Sequence, residues 1–302
     1  MKTVLLNEEY RCKDACVLAL GFFDGVHAGH KKILSAAVDR ARSAGLYSAV
    51  FTFWDTDGFK SSVPRIMPET QKFEIFRSMG FDYLFICSFD DVREMSGEDF
   101  VGKVLLDKCS ARFVVCGENF RFGHDRSSAA DTLGKALGAD RVIVCEEEKQ
   151  NGVCISSTLI RSLIQNGELE RANAMLGSPY SLEGEVLHGK ELGRRLDAPT
   201  LNQQFFDRSV LPKAGVYATR AVVSGHSYPA VTNVGTRPTV DGHGINAETH
   251  IIGFDGDLYG HNVRIEFLKY LRGERKFLSI DALKAQIHRD IGDAIEYERS
   301  ME

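Results

Sequence analysis

Residues 15 to about 150 alternate between short apolar runs and segments with helical spacing. Residues 68–80 and 96–109 begin at capping residues and repeat apolar positions every three to four residues, which is typical of amphipathic helices. The apolar runs favour buried strands and cover residues 17–23, 48–54, 82–89, 112–117 and 141–148. This alternation predicts an α/β domain of Rossmann-like type, in which a parallel sheet is connected by crossover helices.

The pattern changes near residues 177–179. The segments after this point are short and strand-like, are separated by Gly, Asp and Pro turns, and cover residues 181–189, 215–223, 227–235, 248–254 and 262–271. Such spacing predicts a closed antiparallel β-barrel. Residues 279–300 begin at the cap residue Ser279 and predict a terminal amphipathic helix packed on the barrel. The apolar stripe of that helix consists of Ile280, Leu283, Ile287, Ile291 and Ile295. We therefore expect two domains, residues 1–178 and 179–302.

Charge and cysteine content restrict the partners and the compartment. A net charge of −5 provides no broad basic field, so we expect a small-molecule partner rather than nucleic acid or an acidic membrane. The seven cysteines include no C-x-x-C pair and are expected to be reduced core residues. The apolar run near the N-terminus is too short for a secretory signal, and no segment reaches the roughly 18 apolar residues that a membrane span requires. We expect a cytoplasmic monomer or weak homo-oligomer.

The segment GFFDGVHAGH, residues 21–30, lies between a predicted buried strand and a predicted helix. Ligands of open parallel sheets bind at such positions, where a helix N-terminus directs unpaired N–H groups at the crevice. The three glycines allow the backbone to approach a phosphate, and His27 and His30 can donate hydrogen bonds to phosphate oxygens from the same side. The sequence contains no Walker loop, so this segment would bind ATP without one. Asp24 either holds the turn or assists a metal ion.

This segment resembles the nucleotidyltransferase superfamily and is similar to the adenylyltransferase module of bacterial bifunctional riboflavin kinase/FAD synthetases. Residues 116–123, CGENFRFG, resemble the loop that lines the flavin and nucleotide pocket in that family. Residues 155–177 resemble its phosphate-binding signature, in which serines and a threonine cap a helix and Arg161 reaches the triphosphate. The resemblance implies catalysis by His27, His30 and Arg161. It implies cofactor binding by Gly21, Phe22, Asp24, Gly25, Gly29, Asn119, Ser157 and Thr158.

The same domain departs from the family pattern in two places. Where the family has a T-F-x-P-H-P turn, Thr52 and Phe53 match, but Trp54 and the Asp-Thr-Asp of residues 55–57 replace the prolines and the histidine. Residues 127–128 are serines where the family has a glycine. Trp54 either stacks on a ring of the ligand or packs against the protein. These departures leave open a nucleotidyl transfer that is weakened or altered.

Residues 184–202 resemble the opening of the family's riboflavin kinase module, which normally ends in G-F/Y-P-T-A-N. Asp197, Ala198 and Leu201 depart from that pattern, whereas Pro199, Thr200 and Asn202 keep it. The resemblance implies that Thr200 and Asn202 bind Mg²⁺ and the phosphates of ATP, since Mg²⁺ requires hard oxygen ligands. Glu248 corresponds to the general base that takes the proton of the ribityl hydroxyl. Further cofactor-binding positions are His188, Gly189, Lys190, Arg194, Pro199 and Arg237, with Arg272 and Glu274 as loop residues near the ligands.

The resemblance extends over roughly residues 15–297 and implies two reactions that use ATP. The C-terminal barrel would phosphorylate riboflavin to FMN, and the N-terminal domain would adenylylate FMN to FAD with release of pyrophosphate. One alternative is a riboflavin kinase whose N-terminal nucleotidyltransferase is weakened or altered. Another is a non-catalytic flavin-binding regulator, against which the retention of Thr200, Asn202 and Glu248 argues, because binding alone needs no base.

Overall fold

The computed structural model describes residues 1–54, 63–188, 198–205, 208–238 and 245–301. The chain divides into two compact units. The first comprises Met1–Pro64 and Pro68–Ser156, and the second Arg65–Met67 and Ser157–Glu302. The second unit includes residues 157–178 because helices there pack on its barrel: the Asn173 amide donates to the Phe267 carbonyl at 2.8 Å. The domain boundary between residues 178 and 179 stays a prediction.

The first unit is built on a parallel six-stranded sheet, which confirms the predicted α/β class. Its strands are β1 (Lys2–Leu5), β2 (Cys16–Leu20), β3 (Tyr47–Trp54), β4 (Tyr83–Ser88), β5 (Ala111–Gly117) and β6 (Val142–Cys145). The spatial order is β1-β4-β3-β2-β5-β6, and all neighbours are parallel. Because the chain proceeds outward from β2 through β3 and then restarts at β5, the topological switch point lies between β2 and β5. Open sheets of this kind bind ligands at that point.

Helices connect these strands and cover the sheet. They are α1 (Ala28–Ala44), α2 (Glu69–Ser78), α3 (Gly97–Asp99), which continues as a π-helical segment Phe100–Leu106, and α4 (Ala130–Leu137). A short hairpin of β7 (Lys149–Gln150) and β8 (Val153–Cys154) follows. Every residue of the central strand β2 is buried, as expected for a parallel strand covered on both faces.

The second unit contains a closed six-stranded antiparallel barrel, as predicted. Its elements are α5 (Ser157–Asn166), α6 (Leu169–Leu176), β9 (Tyr180–Leu187), β10 (Leu201–Phe205), β11 (Gly215–Val223), β12 (His226–Pro238), β13 (Ile245–Ile251), β14 (Asn262–Arg272) and α7 (Ile280–Ser300). The strands close in the order β10-β13-β12-β11-β14-β9. The sequence pattern did not predict β10 or the edge strand β1, which are five and four residues long.

A chain of buried hydrogen bonds crosses the barrel interior. The hydroxyls of Thr219 and Thr232 lie 2.8 Å apart, and those of Thr232 and Thr249 lie 3.0 Å apart. Thr249 donates to the Gln203 side chain, whose amide donates to backbone carbonyls of β9 and β14. Since every buried donor requires a partner, this network opposes any shift in register between β10 and β13.

The terminal helix α7 packs on β11 and β12, as predicted. Ser279 caps it by accepting the Ala282 N–H at 3.1 Å. The Arg272 guanidinium donates to both oxygens of the buried Asp290 carboxylate, from Nη2 at 2.6 Å and from Nε at 2.9 and 3.2 Å. The residues of α7 that are fully buried are Gln286, Asp290 and Ala294. Four residues of the predicted apolar stripe are only half-buried, and Ile280 is 67% exposed.

All seven cysteines are free thiols, and all but the half-buried Cys154 are buried. Burial raises the pKa of the Cys116 thiol to about 11 and that of Cys87 to about 12. These thiols therefore stay protonated at neutral pH, as expected of core residues. Within the described ranges, no helix has the combination of length and apolar character that crossing a membrane requires.

Candidate active sites

The segment that joins β2 to α1 is a strained turn at the switch point of the sheet. Phe23 and Val26 have φ angles of +55° and +38°, which residues other than glycine rarely adopt. Gly25 has φ +80°, and a Cβ at Gly21 would lie 2.6 Å from the Phe23 ring. Both glycines are therefore required by geometry. Strained turns of this type persist where the surrounding structure fixes them, and they concentrate at functional sites.

His27 is the N-cap of α1. Its Nδ1 accepts the backbone N–H of His30 at 3.3 Å, and its carbonyl accepts the N–H of Lys31 at 2.9 Å. The side chain is 5% exposed, and burial lowers its pKa from 6.5 to about 4. The imidazole is therefore neutral at pH 7. Because Nδ1 is an acceptor, the ring proton must reside on Nε2, which is the remaining donor.

The structure brings the two histidines together. Their rings stack with centroids 3.6 Å apart, and the Phe23 ring contacts His30 edge-on at 5.3 Å. A Cβ at Gly29 would lie 3.3 Å from the His27 ring, so this position also has little space. Asp24 is buried in the same turn. Both imidazoles are thus fixed at the N-terminus of α1, where the helix dipole is positive.

A cavity in the same unit is lined mainly by phenylalanines and arginines, and we call it the aromatic cavity. Its phenylalanines are Phe22, Phe53, Phe89, Phe100, Phe120 and Phe122, and its arginines are Arg93, Arg121 and Arg126. Phe22 belongs to the strained turn, and residues 120–122 belong to the loop that follows β5. Because β2 and β5 are adjacent, both segments leave the sheet at the switch point. An apolar lining with a few cations suits a flat ring that carries an anionic group.

Asn119 lies at the rim of this cavity and is exposed. Its amide donates a hydrogen bond to the Glu147 carboxylate, so that pair would have to separate before Asn119 could contact a ligand. Ser128 is one of the two serines that depart from the family pattern. It packs so closely against the backbone of Gly97 that a Cβ at position 97 would overlap the Ser128 hydroxyl. Trp54 ends β3 and is 42% exposed, so its side chain is not part of the core.

The remaining sequence-predicted residues of the adenylyltransferase module lie in the second unit or outside the described residues. Helix α5 begins at Ser157, followed by Thr158 and, one turn later, Arg161. Residues 55–57 and the kinase loop residues Gly189, Lys190 and Arg194 are not among the described residues. Arg237 lies in β12, but its side chain is likewise outside the description. The roles expected for all of these residues stay predictions.

The barrel places a polar row across three neighbouring strands. In the register of the sheet, Asn202 of β10 is the partner of Glu248 of β13, and Glu248 is in turn the partner of Asn233 of β12. Side chains of directly opposed residues lie on the same face, about 5 Å apart at Cβ. The adjacent residues Gln203, Thr249 and Thr232 form the interior network, so the polar row faces the other side of the strands.

Two cavities meet at Thr200. The first, which we call the loop cavity, contains Thr200 and Asn202 together with residues 254–259. The second, which we call the helix cavity, contains Thr200, Asn233 and Glu248 together with residues of α7. One residue therefore borders both spaces. The His250 ring donates from Nδ1 to the carbonyl of Pro199 at 2.8 Å and thereby fixes the segment that carries Thr200.

Comparisons with known proteins show which family both parts of the chain match. Residues 9–159 match the family model for FAD synthetase, and residues 176–298 match that for riboflavin kinase. A bifunctional riboflavin kinase/FMN adenylyltransferase from Pseudomonas fluorescens is 34% identical over 304 residues, which cover 96% of this chain and 94% of the relative. The chain belongs to the bifunctional riboflavin kinase/FMN adenylyltransferase family. The expectation of a two-reaction enzyme that uses ATP as co-substrate is thus confirmed.

Other members of this family and one solved structure extend the match. The Escherichia coli K12 member is 34% identical over 297 residues, which cover 94% of this chain and 93% of the relative. A structure from Streptococcus pneumoniae, described as a macrolide-efflux protein, has a TM-score of 0.87 at 28% identity and covers 95% of this chain and 97% of that one. The efflux description applies to that protein. The close structural match indicates that both units follow the architecture of known folds.

Sequence reasoning missed several residues in the kinase part of this bifunctional family member. Asn233 and His250 line the helix cavity with Glu248, but the sequence analysis assigned no role to either residue. Phe277 and three members of the α7 stripe also line the cavity. The stripe itself was visible in the sequence, but it predicted packing on the barrel. Arg272 and Glu274, named only as loop residues near the ligands, also line the helix cavity.

The donor set near Thr200 suits a hard cation with few protein ligands. Among the described residues, no group of three or more His, Cys, Asp or Glu side chains is arranged to hold a metal. Thr200 and Asn202 instead contribute a hydroxyl and a carboxamide oxygen to one cavity. Mg²⁺ is usually bound by one or two protein groups together with substrate phosphates and water. These two residues therefore fit the magnesium site that the family implies.

Proposed function

We propose that the barrel transfers the γ-phosphoryl group of ATP to riboflavin across Thr200. The observation that carries this proposal is that Thr200 borders both the loop cavity and the helix cavity. The helix cavity has apolar walls from α7 and Phe277, which suit the isoalloxazine ring. The loop cavity is more polar and is lined by Asp255 and Asp257. Two substrates that occupy these cavities would meet at the polar row of Asn202 and Glu248.

The kinase step requires one base and charge neutralisation. The ribityl oxygen attacks the γ-phosphorus, the bond from that phosphorus to the bridging oxygen of ADP breaks, and the proton of the hydroxyl passes to Glu248. Thr200 and Asn202 would hold Mg²⁺, which when bound neutralises charge on the transferring phosphate. His188 stacks on Tyr259 at 3.8 Å, and Tyr259 lines the loop cavity, so this pair would border the nucleotide.

Replacing Thr200 by valine tests the assignment of the metal ligand. Thr200→Val keeps the side-chain shape but removes the oxygen, so the Mg²⁺ concentration for half-maximal riboflavin phosphorylation is expected to rise at least about tenfold. Thr200→Ser retains a hydroxyl and is expected to restore most of the Mg²⁺ affinity. The measurement is the initial rate of FMN formation over a Mg²⁺ titration. An unchanged titration for Thr200→Val would exclude this residue as a ligand.

We propose that the first unit adenylylates FMN at the turn between β2 and α1. An oxygen of the FMN phosphate attacks the α-phosphorus of ATP, and pyrophosphate leaves. The neutral His27 would donate from Nε2 to the phosphates, His30 would support the same group, and the N–H groups of α1 would add positive potential. The flavin ring would occupy the aromatic cavity beside Phe22.

Product analysis distinguishes the two reactions and the alternative functions. Protein incubated with riboflavin, ATP and Mg²⁺ is expected to form FMN first and then FAD, with one pyrophosphate released per FAD. Chromatography of the flavins together with a pyrophosphate assay measures both steps. FMN that accumulates without FAD would show that only the kinase is active, as in a protein whose first unit has an altered activity. Absence of both products would favour a flavin-binding regulator.

The proposed function also includes the partners, location and oligomeric state of the protein. Riboflavin, FMN and ATP are the proposed small-molecule substrates, with no nucleic acid or membrane partner. A cytoplasmic location and a monomeric or weakly homo-oligomeric state are expectations from the sequence and stay predictions.

A further inference from the structure

The ammonium group of Lys72 is buried beneath the turn that joins β2 to α1. The residue is 2% exposed, and an ammonium group is removed from water only where partners replace the solvent. Its Nζ lies 2.6 Å from the Glu69 carboxylate and donates to the carbonyl of Phe22 at 3.2 Å. It also lies over the rings of Phe22 and Phe73, at 5.0 and 5.7 Å from their centroids, within the range of cation–π interactions.

The carbonyl of Phe22 accepts a second buried donor. The hydroxyl of Thr52, at the far end of β3, donates to the same oxygen at 3.2 Å. This carbonyl directly precedes Phe23, which is one of two non-glycine residues of the turn with a positive φ; the other is Val26. Because such conformations are unfavourable, they need contacts that fix them. Lys72 and Thr52 provide two such contacts from two different elements.

Phe22 also connects the turn to the aromatic cavity. Its ring lines that cavity, while its carbonyl begins the segment that leads to His27. Lys72 contacts both the ring and the carbonyl of this one residue. A displacement of Phe22 would therefore alter the wall proposed to hold the flavin and the backbone that orients the imidazole. A neutral side chain of the same length could fill the space but could not form these interactions.

We propose that Lys72 is a positioning residue for FMN adenylylation. Through Phe22 it orients the flavin-binding wall and the strained turn that carries His27, without contact to the substrates. This inference rests on the proposed adenylylation site in the first unit. It adds a residue of α2, which the motifs of the turn and of the loop after β5 do not include, to the machinery of that reaction.

The test compares Lys72→Met with wild type in the full-length protein. Both reactions are measured below the unfolding transition of each variant, and FMN and ATP are varied separately in the adenylylation assay. For adenylylation, we expect kcat/KM for FMN to fall by about 10²-fold, with part of the loss as a higher KM, because the ring and the catalytic group are both misplaced. Riboflavin phosphorylation in the barrel is expected to stay within about twofold of wild type, which makes it an internal control.

Leu137→Ala serves as the control for lost stability. Leu137 is a core residue of α4 in the same unit and lies outside the aromatic cavity and the turn. A residue that contributes only to stability reduces the amount of folded enzyme and leaves KM unchanged, so Leu137→Ala should keep the wild-type KM for FMN. Should Lys72→Met not yield folded protein, Thr52→Val removes the other donor to the Phe22 carbonyl and is expected to raise the same KM.

Three results would overturn the role of Lys72: wild-type KM and kcat in Lys72→Met, an equal rise of KM in Leu137→Ala, or, where Thr52→Val replaces it, an unchanged KM in that variant. In each case the wild-type protein would still convert FMN to FAD. Absence of FAD formation by the wild-type protein would instead refute the proposed adenylylation itself, so the two failures are distinguishable.

Discussion

Glu248→Gln is expected to lower the rate of riboflavin phosphorylation by about 10²- to 10⁴-fold, the range typical of a lost general base. Glutamine keeps the size of the side chain and its hydrogen-bonding capacity, but it cannot take the proton of the ribityl hydroxyl. Glu248 lines the helix cavity and is the register partner of Asn202, one of the two proposed magnesium ligands. The loss should therefore appear in kcat rather than in KM for riboflavin.

The assay for this variant follows FMN formation at saturating riboflavin and ATP. Glu185→Gln is a matched control, because Glu185 is an exposed carboxylate of β9 in the same barrel and lines neither cavity of the kinase. Adenylylation of added FMN should be unaffected in both variants. Retention of kinase turnover by Glu248→Gln would mean that the proton leaves by another route and that Glu248 is not the base.

His27→Asn is expected to reduce FMN adenylylation by about 10²- to 10³-fold, as found when one preorganised donor to a developing charge is removed. Asparagine is a favourable N-cap, and its carbonyl oxygen can accept the N–H of His30 in place of Nδ1. The variant therefore keeps the cap and loses the Nε2 donor. We expect the free energy of unfolding at pH 7 to stay within about 1 kcal/mol of wild type, so that the loss of activity reports on chemistry. Wild-type turnover with FMN would rule out the proposed donation.

The same residue predicts a pH dependence of stability. The pKa of His27 is about 4 in the folded protein and 6.5 in an exposed chain, so between these values the unfolded state binds a proton that the folded state does not. This difference in pKa stabilises the folded protein fully above pH 6.5. The free energy of unfolding therefore decreases as the pH falls from 6.5 to 4, by about 3 kcal/mol in total. In denaturant titrations from pH 7 to pH 4, wild type should lose about this much more than His27→Asn. Parallel curves would indicate that the imidazole titrates normally.

Much of the architecture follows from local patterns. The apolar runs that became β2 to β5 and the barrel strands were recognisable because burial on one or both faces imposes a periodicity on adjacent residues. The position of GFFDGVHAGH was equally local, since a strand, a glycine-rich turn and a helix start follow one another directly. The edge strand β1 and the short β10 escaped this reasoning. β10 carries Asn202 and Gln203, and its polar residues obscure the alternation that identifies a strand.

The burial of polar groups was a second feature of the fold that local sequence patterns did not predict. Lys72 occupies a helix that the pattern predicts to be amphipathic, on which a lysine is normally exposed. Its burial is explained by the tertiary position of the Phe22 carbonyl and ring, together with the Glu69 carboxylate. On α7, the residues that face the barrel include Gln286 and Asp290, because Arg272 approaches from β14. Part of the apolar stripe instead lines the helix cavity. The sequence thus predicted the apolar surface of α7, but it did not predict that part of this surface lines the helix cavity.

The sequence alone established the two fold types, the family and the residue types available for phosphate chemistry, because periodicity and motifs are properties of neighbouring residues. Tertiary structure decided which of these residues meet. The pairing of Asn202 with Glu248 depends on the register of strands 46 residues apart, and the shared position of Thr200 depends on closure of the barrel. Such contacts depend on the packing of the whole chain, which no local pattern encodes.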